Sequence, residues 1–232
     1  MSKTGIIGAM ESEVKTLKAQ MEIKNTIVTA SMEFCEGTLH GRDVVVVQSG
    51  IGKVNAGICA QLLADRFQAD HVINTGVAGS LDAEINIGDI VVSTDCVYHD
   101  MDATIFGYKP GEVPQMGRLD FPADSALTAL AADTCRQVNP EIGVFTGRIA
   151  SGDQFISSRE RKDEIVKEFH ALCVEMEGAA IAHTCFLNHI PFVIIRAISD
   201  KADDSATEDY PAFEKKAAAH CARLVMEIIK NI

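Results

Sequence analysis

Phe192-Val-Ile-Ile-Arg-Ala-Ile-Ser-Asp200 decides the fold class of this chain. The stretch opens as an apolar run, Phe192 to Ile195, directly after a proline, and then sets Arg196, Ser199 and Asp200 at its far end. A run that is apolar on both faces is the pattern of a central parallel strand, covered by helices above and below. Open α/β sheets bind ligands beyond the carboxyl ends of such strands. An aspartate at that point is placed for chemistry on a ligand rather than for surface solvation.

Working outward, the same alternation of buried runs and helical periods recurs. Ile6 to Met10 reads as a first strand and 11–20 as a helix. Residues 24–48 are β-rich, with a His40-Gly-Arg turn before Val44-Val-Val-Val47. Val54, Ile58, Leu62 and Leu63 give 53–67 a helical period. His71 to Thr75 is a short buried strand running into a glycine-rich loop, and 88–93 is another strand. The segment 98–117 has glycines, prolines and no period, so it reads as a loop. Helices are expected over 124–138 (capped by Asp124), from Ser157 or Ser158 to about His170, over 176–187 and over 209–230, with a strand over 143–151. No composition break or repeat divides the chain. The expectation is an α/β fold: a single domain spanning 1–232, with a central mixed twisted sheet flanked by helices on both sides.

Bulk properties narrow the function. The 232 residues carry a formal charge of -12, which repels phosphates and disfavours nucleic acid as a partner. No apolar run approaches the roughly 20 residues that span a bilayer, and Glu11 and Glu13 interrupt the apolar start of the chain before it resembles a signal peptide. Seven cysteines, odd in number and without a Cys-x-x-Cys pair, read as small core hydrophobes in a reducing cytoplasm. No metal and no cofactor are expected. His99, Asp100 and Asp102 have ligand chemistry but no fourth ligand nearby.

The strand ends collect polar chemistry. They carry Met10-Glu-Ser-Glu13, Ser49-Gly-Ile-Gly-Lys53, Asn74-Thr-Gly-Val-Ala-Gly-Ser80, Ser151-Gly-Asp-Gln-Phe-Ile156, Val174-Glu-Met-Glu177 and Ser199-Asp200. If the strands are mostly parallel, these loops meet on one rim around several carboxylates and one arginine. Each piece also has a structural reading. Gly50 and Gly52 permit a tight turn; Glu11 and Glu13, or Glu175 and Glu177, suit the first turn of a helix; Asp200 could cap a turn, and Arg196 could pair with Glu177. Neither glycine loop is a dinucleotide or triphosphate motif, because Gly50-x-Gly52 lacks a third glycine and Lys53 precedes valine. The conjunction favours function, since like charges in one cleft raise each other's pKa and destabilise the fold.

Taken in order, Gly5-Ile-Ile-Gly-Ala-Met-Glu-Ser-Glu-Val14, Ser49-Gly-Ile-Gly-Lys-Val54, Asn74-Thr-Gly-Val-Ala-Gly79, Ser151 to Ile156, Val174 to Glu177 and Arg196-Ala-Ile-Ser-Asp200 closely resemble the 5′-methylthioadenosine/S-adenosylhomocysteine nucleosidases of the nucleoside phosphorylase superfamily. The resemblance runs nearly end to end. It implies a three-layer sandwich and hydrolysis of the N-ribosidic bond of adenine thionucleosides to adenine and a 5-thioribose. It makes Asp200 the general acid at adenine N7, Glu13 the base that activates water, and Glu177 the ligand of the ribose hydroxyls. Met176 would pack on the sugar, Phe155 would stack on adenine with the Ile156 backbone reading its edge, and Arg196 and Ser199 would support the acids. Val77, Ala78, Gly79 and Glu175 would line the substrate site. Met10, Ile51 and Tyr210 would line the 5′-thio pocket, completed by Phe106 from the partner subunit of a homodimer. Two positions depart from some relatives: Val77 stands where a serine is found, and Tyr210 where a phenylalanine is found.

The chemistry fits these residue types. Protonating N7 turns a poor anionic leaving group into neutral adenine, so Asp200 needs a raised pKa, while Glu13 must ionise to take a proton from water, as in an inverting glycosidase. A phosphate nucleophile would need basic residues around the glycine loops; only Lys53 is available, and it is expected to face solvent. Alternatives are a purine nucleoside phosphorylase, an aminofutalosine nucleosidase, or a nonenzymatic nucleoside-binding module.

Overall fold

The computed structural model describes residues 2–232, with nothing described of the Glu208 side chain. Its strands are β1 (Lys3–Gly8), β2 (Glu22–Thr29), β3 (Met32–Leu39), β4 (Arg42–Gln48), β5 (His71–Ser80), β6 (Ile90–Tyr98), β7 (Asp120–Pro122), β8 (Val144–Ser151), β9 (Cys173–Glu175) and β10 (Phe192–Asp200). The helices are α1 (Glu11–Gln20), α2 (Lys53–Asp65), α3 (Ser125–Val138), α4 (Arg159–Phe169), α5 (Gly178–Asn188) and α6 (Ala206–Asn231). All strands join one mixed sheet, in the order β10-β6-β8-β9-β5-β1-β4-β3-β2, with β7 on β6. β10 also pairs with β5, so five strands form a closed circuit.

β10 is buried at every position, as its apolar run requires. On one face of the sheet, α1, α3 and α6 cover a core that includes Val14, Leu17, Leu127, Leu224 and Ile228. On the other, α2 and α5 pack Cys59, Leu63, Ile181 and Cys185 against Ile7, Val45 and Val72. Small residues dominate the buried faces of α2 and α5, which lets these two helices pack closely on each other. Asp124 caps α3 by accepting from the Leu127 amide, and Ser158, not Ser157, caps α4 by accepting from Arg161. All seven cysteines are buried and free. No helix among the described residues is long and apolar enough to cross a membrane.

Two expectations, the end of β5 and the start of α6, need correction, while the sheet is mixed as expected. β5 does not end at Thr75 but continues to Ser80, so the glycine-rich segment is strand rather than loop. Parallel pairing holds for β1, β4, β5 and β10, but β10 is antiparallel to β6 and β5 is antiparallel to β9. The loops after β8 and β9 therefore reach the rim from the opposite direction, carried there by closure of the circuit. Finally, α6 starts at Ala206, ahead of Pro211, and the Asp209 amide bonds the Ser205 carbonyl to open it.

Candidate active site

Beyond the carboxyl ends of β1, β5 and β10 lies a cavity of about 380 Å³, within the size range of small-molecule sites. Glu13 reaches it from the first turn of α1, where it is 2% exposed. Its Oε2 accepts from the Ala9 and Met10 amides at 2.6 and 3.0 Å, and its Oε1 accepts from the Val77 amide at 3.1 Å. Three N–H donors fix the carboxylate in place. Burial raises its pKa, and the Arg196 charge and the three amides pull it back only in part.

Asp200 lies at the end of β10 and is also 2% exposed. Its Oδ1 accepts from the Ala202 amide and its Oδ2 lies 2.8 Å from Ser199 Oγ. Burial raises its pKa; the Ala202 and Ser199 contacts oppose the rise, and the charges of Asp209 and Asp203 add to it. It does close the local turn, as the structural reading allowed, while also presenting a carboxyl to the cavity.

Strand β5 seats both acids. A Cβ on Gly76 would fall 2.5 Å from Glu13 Oε1, and one on Gly79 would fall 2.7 Å from Asp200 Oδ1. The Gly76 Cβ would also meet Arg196 Nη1 and the Gly79 Cβ would also meet Ala202 Cβ, so neither position has room for a side chain. The two glycines stand three residues apart on the strand, a span of roughly 10 Å. Both acids line the same cavity.

Behind them lies a buried ionic cluster. Arg196 is 1% exposed and bonds Asn74 Oδ1 at 2.6 Å, Glu175 through a short ion pair, and Glu177 at 3.6 Å. Burial works against its charge, but the surrounding Glu175, Glu177 and Glu13 prevail and raise its pKa. Glu175 also accepts from Ser151 Oγ and from the amides of Glu177 and Gly178 at the start of α5, where the helix dipole favours an anion. Its oxygens are therefore committed to anchoring Arg196 and α5. Glu177 accepts from the Gly52 amide at 2.9 Å. Its pKa is pushed up to about 7, by burial first and the Glu175 charge second.

The cavity wall gathers Met10, Glu13, Ile51, Val77, Ala78 and Gly79 with Phe155, Glu175, Met176, Glu177, Ser199, Asp200 and Tyr210. Three expected residues are not on it. Arg196 stands behind the carboxylates, Ile156 turns its side chain into a core cluster with Ile165 and Phe169, and Phe106 is 81% exposed in the 98–117 segment. Ala9 and Val174 also line the cavity and were not singled out; both lie inside quoted segments, so adjacency to Met10 and Glu175 was the available signal.

Lys53 departs from expectation. It does not face solvent: its Nζ is 2.6 Å from Asp100 Oδ2 and 3.7 Å from Asp153 Oδ2, and it lies 5.4 Å from the Tyr98 ring centre. Asp100 further accepts from the Asp153 amide, and Asp153 from the Lys53 amide. This lysine latches three loops together.

Fold and site together define a class: the chain belongs to the phosphorylase superfamily, whose family model matches residues 3–230. Within it, the chain belongs with the 5′-methylthioadenosine/S-adenosylhomocysteine nucleosidases. The enzyme of that name from Geobacillus sp. (strain WCH70) is 43% identical over 231 residues, covering 99% of each chain. The crystal structure of the Neisseria meningitidis nucleosidase in complex with methylthio-immucillin-A superposes with a TM-score of 0.95 at 42% identity, covering 100% of both chains. The native structure of futalosine hydrolase of Helicobacter pylori is also similar, with a TM-score of 0.94 at 33% identity over 100% of this chain and 98% of that one.

Proposed function

We propose that this enzyme hydrolyses the N-ribosidic bond of 5′-methylthioadenosine and S-adenosylhomocysteine, and also of 5′-deoxyadenosine, releasing adenine and the 5-substituted ribose. It would act in the cytoplasm, in methionine salvage and in recycling the by-products of S-adenosylmethionine chemistry. One observation carries the proposal: two buried carboxyl groups face a single nucleoside-sized cavity whose described wall holds no lysine or arginine, Asp200 with its pKa raised by burial and Glu13 with the Arg196 charge and three amides favouring its ionised form against burial.

Asp200 is the general acid. With the Ala202 amide held on Oδ1, the proton belongs on Oδ2, and Ser199 can accept from it while turning its own hydrogen to the Ala78 carbonyl at 3.3 Å. The protonated acid is thus accommodated at rest and can pass its proton to adenine N7 as the glycosidic bond breaks. Glu13 then takes a proton from the attacking water and stabilises the cationic sugar. Glu177 binds the ribose hydroxyls, Met176 packs against the sugar, and Phe155 stacks on the base, with the Ile156 backbone at its edge. Each acid or base step is worth about 10²–10⁴ in rate, or about 3–5 kcal/mol of barrier.

Water is favoured over phosphate as nucleophile because the one buried arginine is already committed to Asn74, Glu175 and Glu177. The experiment is incubation of the purified protein with methylthioadenosine, with and without phosphate, and chromatography of the products. Free adenine at an unchanged rate is expected; a ribose 1-phosphate product would make the enzyme a phosphorylase. The likeness to futalosine hydrolase supports a second reading, in which an aminofutalosine is the substrate. Parallel assays with both nucleosides decide between them.

A further inference from the structure

The loop that carries Phe155 is held to the rest of the protein at few points. It leaves β8 after Ser151 and ends at Ser158, the cap of α4. The Gly152 amide donates to the Glu175 carbonyl at 3.1 Å, and the Ile156 side chain anchors the far end in the core. Among the described residues, none from Gln154 to Ser157 takes part in a hydrogen bond, and the Phe155 ring is half-exposed. What fixes the chain next to Phe155 is Asp153. Its Oδ1 accepts from the Lys53 amide at 2.8 Å, and its own amide donates to Asp100 Oδ2 at 2.9 Å. Lys53 Nζ closes the triangle, 2.6 Å from Asp100 Oδ2 and 3.7 Å from Asp153 Oδ2. The Lys53 and Asp100 side chains are mostly buried, so salt screens this pair less than an open surface bridge. A Cβ on Gly52 would stand 3.1 Å from Asp153 Oδ1. The same turn serves the other end of the site, where the Gly52 amide donates to Glu177 Oε1 at 2.9 Å. Successive amides at the start of α2 thus hold Glu177 and the Phe155 loop. The helix dipole disfavours a cation at that end, and Lys53 stands there against two carboxylates.

We propose that Lys53 is a positioning residue: paired with Asp100, it holds Asp153 and through it the Phe155 ring, so that Phe155 and Glu177 grip the base and ribose of one nucleoside together. The inference rests on the proposed adenine-nucleoside site, in which Phe155 stacks on the base and Glu177 binds the sugar. Lys53 does not line the cavity and acts only through the loop. Neither Glu13 nor Asp200 bonds to the Lys53, Asp100 and Asp153 triangle. Its contribution is therefore to substrate binding and not to proton transfer.

The test measures kcat and KM for methylthioadenosine in the wild type, Lys53→Met, Phe155→Ala and the double variant. Lys53→Met keeps the backbone amide that Asp153 accepts and removes the charge. It is expected to raise KM about three- to thirtyfold, within what stacking of one base on an aromatic ring is worth. Turnover should stay within about twofold, because stacking is lost equally from bound substrate and transition state. In the Phe155→Ala background the same substitution should change KM by less than about twofold, since the ring it positions is gone. Asp100→Asn retains an oxygen for the Asp153 amide and should also raise KM, which keeps the proposal testable if Lys53→Met does not fold. A fall in kcat at unchanged KM in the single variants, or an equal rise in KM with and without the Phe155 ring, overturns the inference and leaves the triangle a matter of stability. Absence of adenine release by the wild type would instead remove the functional reading, and this inference with it.

Discussion

Asp200, the proposed general acid, weakens the fold above its raised pKa. Its pKa lies above the ordinary 3.8, so the folded state favours the protonated carboxyl. That contribution is complete below 3.8 and is lost as pH rises through the raised value. Asp200→Asn keeps the acceptor for the Ala202 amide and cannot ionise. It is expected to lower kcat by about 10²–10⁴ while melting above the wild type at pH 8, with the difference narrowing as pH falls towards 3.8. Adenine release within threefold of wild type would remove Asp200 from the role of acid. Glu13→Gln should behave differently. Both Glu13 oxygens accept backbone N–H groups, so either orientation of a glutamine amide sets its NH₂ against a donor, at a cost of about 1–3 kcal/mol. Its melting temperature at pH 8 should fall below that of Asp200→Asn. The identities of these two acids were visible in the chain, but their hydrogen-bond partners were not, because Val77 and Ala202 approach them only after folding.

At the scale of elements, β5 is the strand against which both acids pack. Its Asn74-Thr-Gly-Val-Ala-Gly79 run lacks the apolar bulk of a strand interior, and glycine usually weakens one. It reads as a loop for that reason. Pairing with β10 through Ala78 and Gly79 extends it as strand, since the neighbouring strand supplies hydrogen bonds and the carboxylates fill the space above the glycines. Gly79→Ala would drive a methyl to 2.7 Å from Asp200 Oδ1 and 2.8 Å from Ala202 Cβ. The expected result is a loss of about 1–3 kcal/mol of stability and at least about tenfold in kcat, as the acid shifts from its seat. Wild-type turnover with an unchanged melting temperature would show that the contact is easily relieved. The three-residue strands β7 and β9 carry too few positions to show a period, so their pairing is legible only in the assembled sheet.

At the scale of the molecule, the exposed apolar residues point to a partner. Ile105 is 88% exposed and Phe106 81%, which is unusual for side chains of that size standing together. The proposed homodimer would cover them and deliver Phe106 to the neighbouring 5′ pocket. Light scattering should give twice the 25.0 kDa of one chain, and Phe106→Ala should lower kcat/KM although Phe106 lies off its own cavity. A monomer with full activity would overturn the assembly. The apolar runs, caps and glycine loops determined by themselves an α/β sheet and the strand-end positions of its carboxylates, because burial periodicity and turn geometry are local. Folding alone decided that β8 and β9 run against β10, that Lys53 faces Asp100 rather than water, and that Arg196 stands behind the carboxylates. Each of those outcomes depends on charges and strand edges distant in the chain, whose pairing energy exists only once they meet.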